Sequence, residues 1–175
     1  MEMICRHYNP GWLILARWYV EAGTPENYDR AKEALRHFLE EEPAGERAAD
    51  AWRTLAFCCH KTGDTLGEIH AFIERSQITT VPFYDLSNTA NRLNQLLREN
   101  ALEIDREAKR IFAQRLADAL DNRKDEANAD DYSRKAWLAF HLNADDKARS
   151  YAEAGLVIDP TNHHIRKIAE KLHIL

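Results

Sequence analysis

The chain has 175 residues, of which 45% are hydrophobic and 30% are charged, so it can bury a core and lacks the composition of a disordered segment. Its net charge of -5 comes from interspersed acidic and basic residues without a polybasic block, which argues against a nucleic-acid partner. No apolar run approaches the roughly 20 residues of a membrane-spanning helix, and we expect no membrane partner. The three cysteines, two of them adjacent, favour a reduced, cytoplasmic location.

Hydrophobic spacing predicts an all-helical chain. Six glycines and five prolines are too few for the turns of an all-β fold of this length. Apolar residues recur at helical spacing in most segments. The predicted helices lie near residues 10–23, 27–42, 46–62, 65–77, 83–98, 102–123, 129–142, 145–157 and 161–173.

Several helix ends have recognisable signals. Thr24 followed by Pro25 is typical of an N-cap with proline at the first helical position. Pro43 and Pro160 restrict the residues before them, so helices should end there. The helix near 102–123 is expected to be unusually long, and the polar linker from Lys124 to Asp131 is expected to be mobile.

Two motifs recur along the chain. The first contains Trp12, Leu15, Ala16 and Tyr19, and the second contains Trp52, Leu55 and Ala56, with Cys59 in place of the tyrosine. Both match the first half of the pattern W-x2-L-G-x2-Y. Near the end, Ala148 and Gly155 occupy the small positions of a second half-repeat, which Asp159 and Pro160 close. These motifs resemble those of the tetratricopeptide repeat family, whose helix–turn–helix unit has 34 residues.

The resemblance implies an all-α fold, a right-handed superhelical array of antiparallel helix pairs forming a tetratricopeptide-like α-solenoid. About four pairs and a C-terminal capping helix would make one domain over residues 1–175. The pairs are expected near residues 10–42, 46–77, 83–123 and 129–157, with the cap at 161–173.

Residue size predicts how the pairs pack. Small residues are expected where two helices of a pair approach closely, namely Ala16, Ala56, Ala90 and Ala136. Large residues are expected to fill the space between neighbouring pairs, namely Trp12, Tyr19, Trp52 and Phe72.

The sequence contains no motif for catalysis or cofactor binding, so we predict neither an enzyme nor a bound cofactor. A phosphate-binding loop, a dinucleotide fingerprint and a nucleophile elbow are all missing. Cys58-Cys59-His60 lacks the spacing of a zinc site, and Cys59 is expected to be a buried hydrophobe beside a surface residue. His163 and His164 have no completing ligand, so no metal is expected there either.

In proteins of the resembling family, the first helix of each pair lines a concave groove that holds a peptide or a partner helix. Carried over to this sequence, the groove residues are Arg17, Arg53, Phe57, His60, Lys61, Asn91, Asn94, Gln95, Trp137 and His141. Neighbouring positions of the same helix faces are Leu13, Val20, Ser87, Ser133 and Phe140.

These residues indicate the chemistry of a partner. Asn and Gln amides can donate to and accept from an extended peptide backbone. Arg17, Arg53 and Lys61 suit carboxylate or phosphate groups, and Trp137 is an aromatic anchor of the kind enriched at binding hot spots. We therefore expect a protein-interaction scaffold whose partner is a protein or peptide with acidic and apolar anchor residues.

Two alternatives remain open at this point. The chain could be the C-terminal sensor or scaffold fragment of a larger bacterial signalling or defence protein. It could instead be a repeat module that associates with itself as a homodimer.

Overall fold

A computed structural model of the chain describes residues 9–123 and 127–175, and every regular element in these ranges is an α-helix, which confirms the predicted all-α class. The helices are α1 (Pro10–Ala22), α2 (Pro25–Glu41), α3 (Glu46–Lys61), α4 (Thr65–Ser76), α5 (Phe83–Arg98), α6 (Arg106–Asp121), α7 (Ala129–His141), α8 (Asp145–Ile158) and α9 (His163–Lys171).

The predicted bounds agree with these helices to within two residues except at α6. That helix has 16 residues, as α5 does, so the prediction of an unusually long sixth helix is wrong. Asp105 is the cause, because its side chain accepts a hydrogen bond from Ala108 N at 2.7 Å and starts the helix there. The linker predicted to be mobile is shorter than expected. Residues 129–131 already belong to α7, and residues 124–126 lie outside the described residues.

The predicted helix-end signals are found where the sequence placed them. Thr24 Oγ1 accepts from Asn27 N at 3.3 Å, with Pro25 in the first turn. The helices before Pro43 and Pro160 end at Glu41 and Ile158. At the start of α7, Asn128 and Asp131 form a reciprocal capping box.

The chain divides into two compact units, Met1–Val81 and Pro82–Leu175. In the first unit α2 contacts α1 and α3, and α3 also contacts α4. Phe38, Leu35, Ile69 and Ile73 are its largest fully buried apolar side chains. Ala16 and Ala56, which were expected at close approaches of two helices, are both buried.

The repeated aromatic residues of the first unit are less buried than predicted. Trp12 and Trp52 are only partly buried, and each faces a histidine of the following helix. The ring centroids are 4.7 Å apart for Trp12 and His37 and 6.3 Å apart for Trp52 and His70. Trp52 also donates from Nε1 to the carbonyl of Pro43 at 3.1 Å. These tryptophans therefore cover the edge of a helix pair, and the core position belongs to Phe38.

In the second unit α7 is the central helix, since it contacts α5, α6, α8 and α9. Ala136, Ala148, Ala152, Ile165 and Ile168 are buried in one cluster that joins α7, α8 and α9. The last helix therefore packs its apolar face onto the α7–α8 pair.

An ion pair between a buried lysine and a half-buried aspartate accompanies this apolar packing. Lys135 is 1% exposed, and its Nζ lies 2.7 Å from Asp121 Oδ1. The ammonium lies 4.6 Å from the ring centroid of Tyr151 and 5.0 Å from that of Tyr132. Tyr151 donates its hydroxyl proton to the other oxygen of Asp121, so α6, α7 and α8 meet at one charged contact.

We predict that Phe38→Ala destabilises the chain more than Trp52→Ala. Truncating a fully buried Phe leaves a cavity and typically costs about 3–5 kcal/mol, whereas Trp52 already contacts solvent. Urea denaturation of both variants gives the free energies of unfolding. An equal or larger loss for Trp52→Ala would contradict this assignment of the core.

We also predict that Gly155→Ala destabilises the second unit by about 1–3 kcal/mol. A Cβ at Gly155 on α8 would lie 2.5 Å from Ile165 Cδ1 and 3.1 Å from Tyr132 Cβ, so the Ile165 side chain must shift or α8 must move away from α7 and α9. Ala154→Gly, at the half-buried neighbouring position, is the control for helix propensity. A Gly155→Ala variant that is as stable as the wild type would show that this close approach is not required.

Candidate functional site

Three helices of the second unit lie side by side and run in the same direction. Along α5 and α7, Ser87 donates to Asp131, and Asn94 Nδ2 donates to the carbonyl of Arg134 at 2.9 Å. Along α7 and α9, Asn162 Nδ2 donates to Asp130 Oδ1 at 2.7 Å, and Lys171 Nζ lies 5.9 Å from the ring centroid of Phe140. In each pair of helices, the contact made by the later residue of one helix is also made by the later residue of the other. The helices are therefore parallel, and α7 lies between α5 and α9.

A cavity of about 320 Å³ follows these three helices. Six of its lining residues come from the sequence-predicted groove faces, namely Asn91, Asn94, Gln95, Ser133, Trp137 and His141. Sequence reasoning did not assign the other six, namely Arg98, Asp130, Arg134, His163, His164 and Lys167. The name groove is used below for this cavity alone.

Some groove residues are engaged in holding the helices together. Arg134 Nη1 donates to Ser87 Oγ and lies 3.3 Å from Asp131 Oδ1. Asn94 links α5 to α7 through its Nδ2, while its Oδ1 is buried without a hydrogen-bond partner. Gln95 bonds along its own helix to Arg92 and Glu99. These side chains form the wall and floor of the groove.

Other groove residues are positioned to contact a ligand. Asn91 is exposed on α5. Trp137 is half-buried and is held edge-on by Phe140, with ring centroids 5.6 Å apart. His163 and His164 are exposed in the first turn of α9, one turn before Lys167. The groove thus combines one fixed indole with amide, imidazole and ammonium groups.

The electrostatics of the groove favour negative charge. Arg98, Arg134 and Lys167 line it together with the carboxylate of Asp130, and Arg134 also has Asp131 within ion-pair distance at 3.3 Å. Within the described residues no carboxylate lies within ion-pair distance of Lys167, and Arg98 has only Glu99 at 4.0 Å. Burial lowers the pKa of His141, and the nearby Arg98 charge lowers it further, so this imidazole is neutral at neutral pH.

The residues that sequence reasoning missed had a signal. Arg98 follows Asn91 by seven residues and Asn94 by four, which places it on the same helix face. Lys167 and His163 are separated by four residues on α9. The sequence prediction does not include Lys167 and His163, because it treats α9 as a capping helix whose exposed face binds no ligand.

The predicted groove residues of the first unit lie on exposed helix faces. Arg53 pairs with Asp50 of its own helix at 2.9 Å. Phe57 packs edge-on against Tyr28, and Lys61 Nζ lies 5.4 Å from the Phe57 ring centroid. His60 Nδ1 lies 3.4 Å from the largely buried Glu68 carboxylate, and Arg17 is exposed on α1. A groove that continues through these positions stays a prediction.

Cys58 and Cys59 are both buried in α3, and the exposed neighbour is His60. Burial raises the pKa of Cys58 to about 11 and, with the Asp64 carboxylate, that of Cys59 to about 12. Both thiols are therefore protonated at neutral pH and are poor nucleophiles or metal ligands. Within residues 9–123 and 127–175, no group of three or more His, Cys, Asp or Glu side chains is placed to hold a metal ion.

None of the helices in the described ranges is long and apolar enough to cross a membrane. No protein-family model matches the chain, and no curated protein is significantly similar to it. The resemblance to tetratricopeptide repeats therefore depends on the motif residues alone.

We predict that the stability of the second unit falls as the pH drops below the ordinary histidine range. His141 has a lowered pKa in the folded state, so the unfolded chain binds more protons in this window and is favoured by acid. Urea denaturation between pH 7 and pH 5 should show a smaller decrease for His141→Gln than for the wild type. Equal pH dependence of the two proteins would contradict the prediction.

Proposed function

We propose that this chain is a protein-interaction module that binds a peptide segment in the groove along α5, α7 and α9. The observation that carries the proposal is the parallel register of these three helices around a half-exposed tryptophan. Asn91, Trp137 and Lys167 present an amide, an indole and a cation along one channel. An extended peptide needs this combination, because its backbone requires polar partners and its side chains require an anchor.

The size of the groove also supports a peptide. A volume of about 320 Å³ is near the lower end of ligand cavities, which suits a few side chains of a longer segment. Much of the wall is fixed by contacts between helices, so little conformational entropy is lost when a ligand binds.

The proposal includes the finer fold expected from the sequence. In it the helix pairs continue as a tetratricopeptide-like solenoid of about four pairs, with α9 as the cap. The module acts without catalysis or cofactor, in the cytoplasm. Arg17, Arg53 and Lys61 extend the binding surface in the first unit.

We predict that random peptides displayed on phage and selected on the intact chain will bind in the groove. Asn91→Tyr should weaken binding of the selected peptides at least about ten-fold, or about 1.4 kcal/mol, because a ring at this exposed position obstructs the channel. Trp137→Ala should do the same by removing the anchor. Fluorescence anisotropy gives the Kd values, and circular dichroism gives the melting temperature of each variant.

A matched variant in the first unit separates the groove from the rest of the predicted surface. Arg53→Ala/Lys61→Ala changes two exposed side chains of α3. If it weakens binding as well, the surface extends into the first unit. If folded Asn91→Tyr binds the peptides as tightly as the wild type, or if no peptide is selected, the groove is not the binding site.

A further inference from the structure

A second cavity of about 510 Å³ adjoins the groove, and His141 lines both. The second cavity lies at the end of α5, the first turns of α6 and the connection from α7 to α8. Leu97, Asn100, Arg106, Lys109 and Asn143 are among its lining residues. The side chain of His141 is thus common to the linings of both cavities.

The second cavity carries positive charge that the protein does not neutralise. Arg110 holds Glu107 through two hydrogen bonds of 2.6 and 3.0 Å, which satisfies both of these groups. Lys109 Nζ donates to a neutral acceptor, Asn100 Oδ1, at 3.0 Å. Among the described residues no carboxylate lies within ion-pair distance of Arg106 or Lys109.

The position of these cations opposes local helix stability. Arg106 and Lys109 stand in the first turns of α6, where the helix dipole favours negative charge and disfavours positive charge. The carboxylates of Asp105 at the N-cap and Glu107 in the first turn offset part of this unfavourable charge but lie outside ion-pair distance of Arg106 and Lys109. Carboxylates bound here would neutralise the cations and would also interact favourably with the helix N-terminus.

Cationic side chains are concentrated along the two cavities. The two cavities contain six cationic side chains, namely Arg98, Arg106, Lys109, Arg110, Arg134 and Lys167. Arg98, Arg110 and Arg134 have carboxylates within ion-pair distance, namely Glu99, Glu107 and Asp131. Among the described residues, Arg106, Lys109 and Lys167 have none. An acidic ligand is therefore attracted by three cations that have no carboxylate within ion-pair distance.

We propose that the groove binds an acidic peptide segment whose carboxylate side chains continue past His141 into the second cavity, where Arg106 and Lys109 bind them. The cations come from four helices and are spread over both cavities. This distribution fits several single charges along an extended chain better than one compact phosphate group. The inference rests on the proposed function, since the same peptide would occupy the groove.

The test uses acetylated hexaglutamate as the probe and acetylated hexaglutamine as its uncharged counterpart. Each is titrated into the uniformly ¹⁵N-labelled intact chain, and backbone amide shifts are followed by NMR. We expect hexaglutamate to shift signals of the first turns of α6 and around His141 in a saturable manner. These shifts should weaken as salt is added, and hexaglutamine should leave the signals unchanged.

Two charge-reversed variants of equal charge change complete the experiment. Arg106→Glu/Lys109→Glu should weaken hexaglutamate binding at least about ten-fold, or about 1.4 kcal/mol. Arg36→Glu/Arg149→Glu, at exposed positions of α2 and α8, should keep the binding of the wild type. Equal losses in both variants would mean a general charge effect and would overturn the proposal, as would shifts confined to other residues.

The failure of this inference differs from the failure of the proposed function. If selected peptides bind the groove but hexaglutamate does not shift α6, the proposed function stands and the acidic extension is wrong. If hexaglutamate shifts α6 but no selected peptide depends on Asn91 or Trp137, the groove is not a peptide site, and the occupant assigned here is wrong with it.

Discussion

The ion pair between buried Lys135 and half-buried Asp121 is the interaction on which the packing of α6, α7 and α8 depends. Lys135 is almost fully buried, and a buried ammonium group is costly unless it has a partner of opposite charge. Asp121 supplies the partner from α6, and the rings of Tyr132 and Tyr151 cover the ammonium. The pKa of Tyr151 is raised, first by burial and then by its hydrogen bond to Asp121, which keeps its hydroxyl group a donor. One charged contact thus fixes α6, α7 and α8 together.

The orientation of α7 decides where the groove lies. Residues two positions apart point about 200° apart on an α-helix, so Trp137 faces away from Lys135. Once Lys135 is directed at α6 and α8, Trp137 and His141 are directed towards the channel between α5 and α9. The hydrogen bonds of Ser87, Asp131 and Arg134 then set the register of α5 on the same helix. The side chains in the channel are positioned by contacts made on the opposite face.

The local parts of the fold could be predicted from the sequence. Thr24 and the residues before Pro43 and Pro160 act through contacts within a few positions, so their effects on helix ends follow from residue type. The length of α6 could not, because the apolar spacing continued upstream of Asp105 and did not reveal which polar residue would cap the helix. The burial of Trp52 was also overestimated, since the pattern shows an aromatic residue but not whether Phe38 already fills the core.

The groove residues likewise divide into those that the sequence predicts and those that depend on tertiary packing. Asn91, Gln95 and Trp137 were identified because they occupy one face of a periodic helix, and the structure brings them to one cavity. Arg98, Lys167 and the histidines of α9 were missed, because their meeting depends on how three separate helices pack. The uncompensated charge of Arg106 and Lys109 is likewise a tertiary property. Sequence counts show many acidic and basic residues but not which of them pair.

The two adjacent thiols of α3 have a consequence for the chemical durability of the protein. Cys58 and Cys59 are inaccessible and fully protonated while the first unit is closed, so oxidants and alkylating agents react with them only after a local opening. The lifetime of these thiols in an oxidising medium is then set by the frequency of that opening. A contact that makes this local opening rarer therefore slows oxidation and alkylation of the two thiols, whether or not the contact lies near the sulfur atoms.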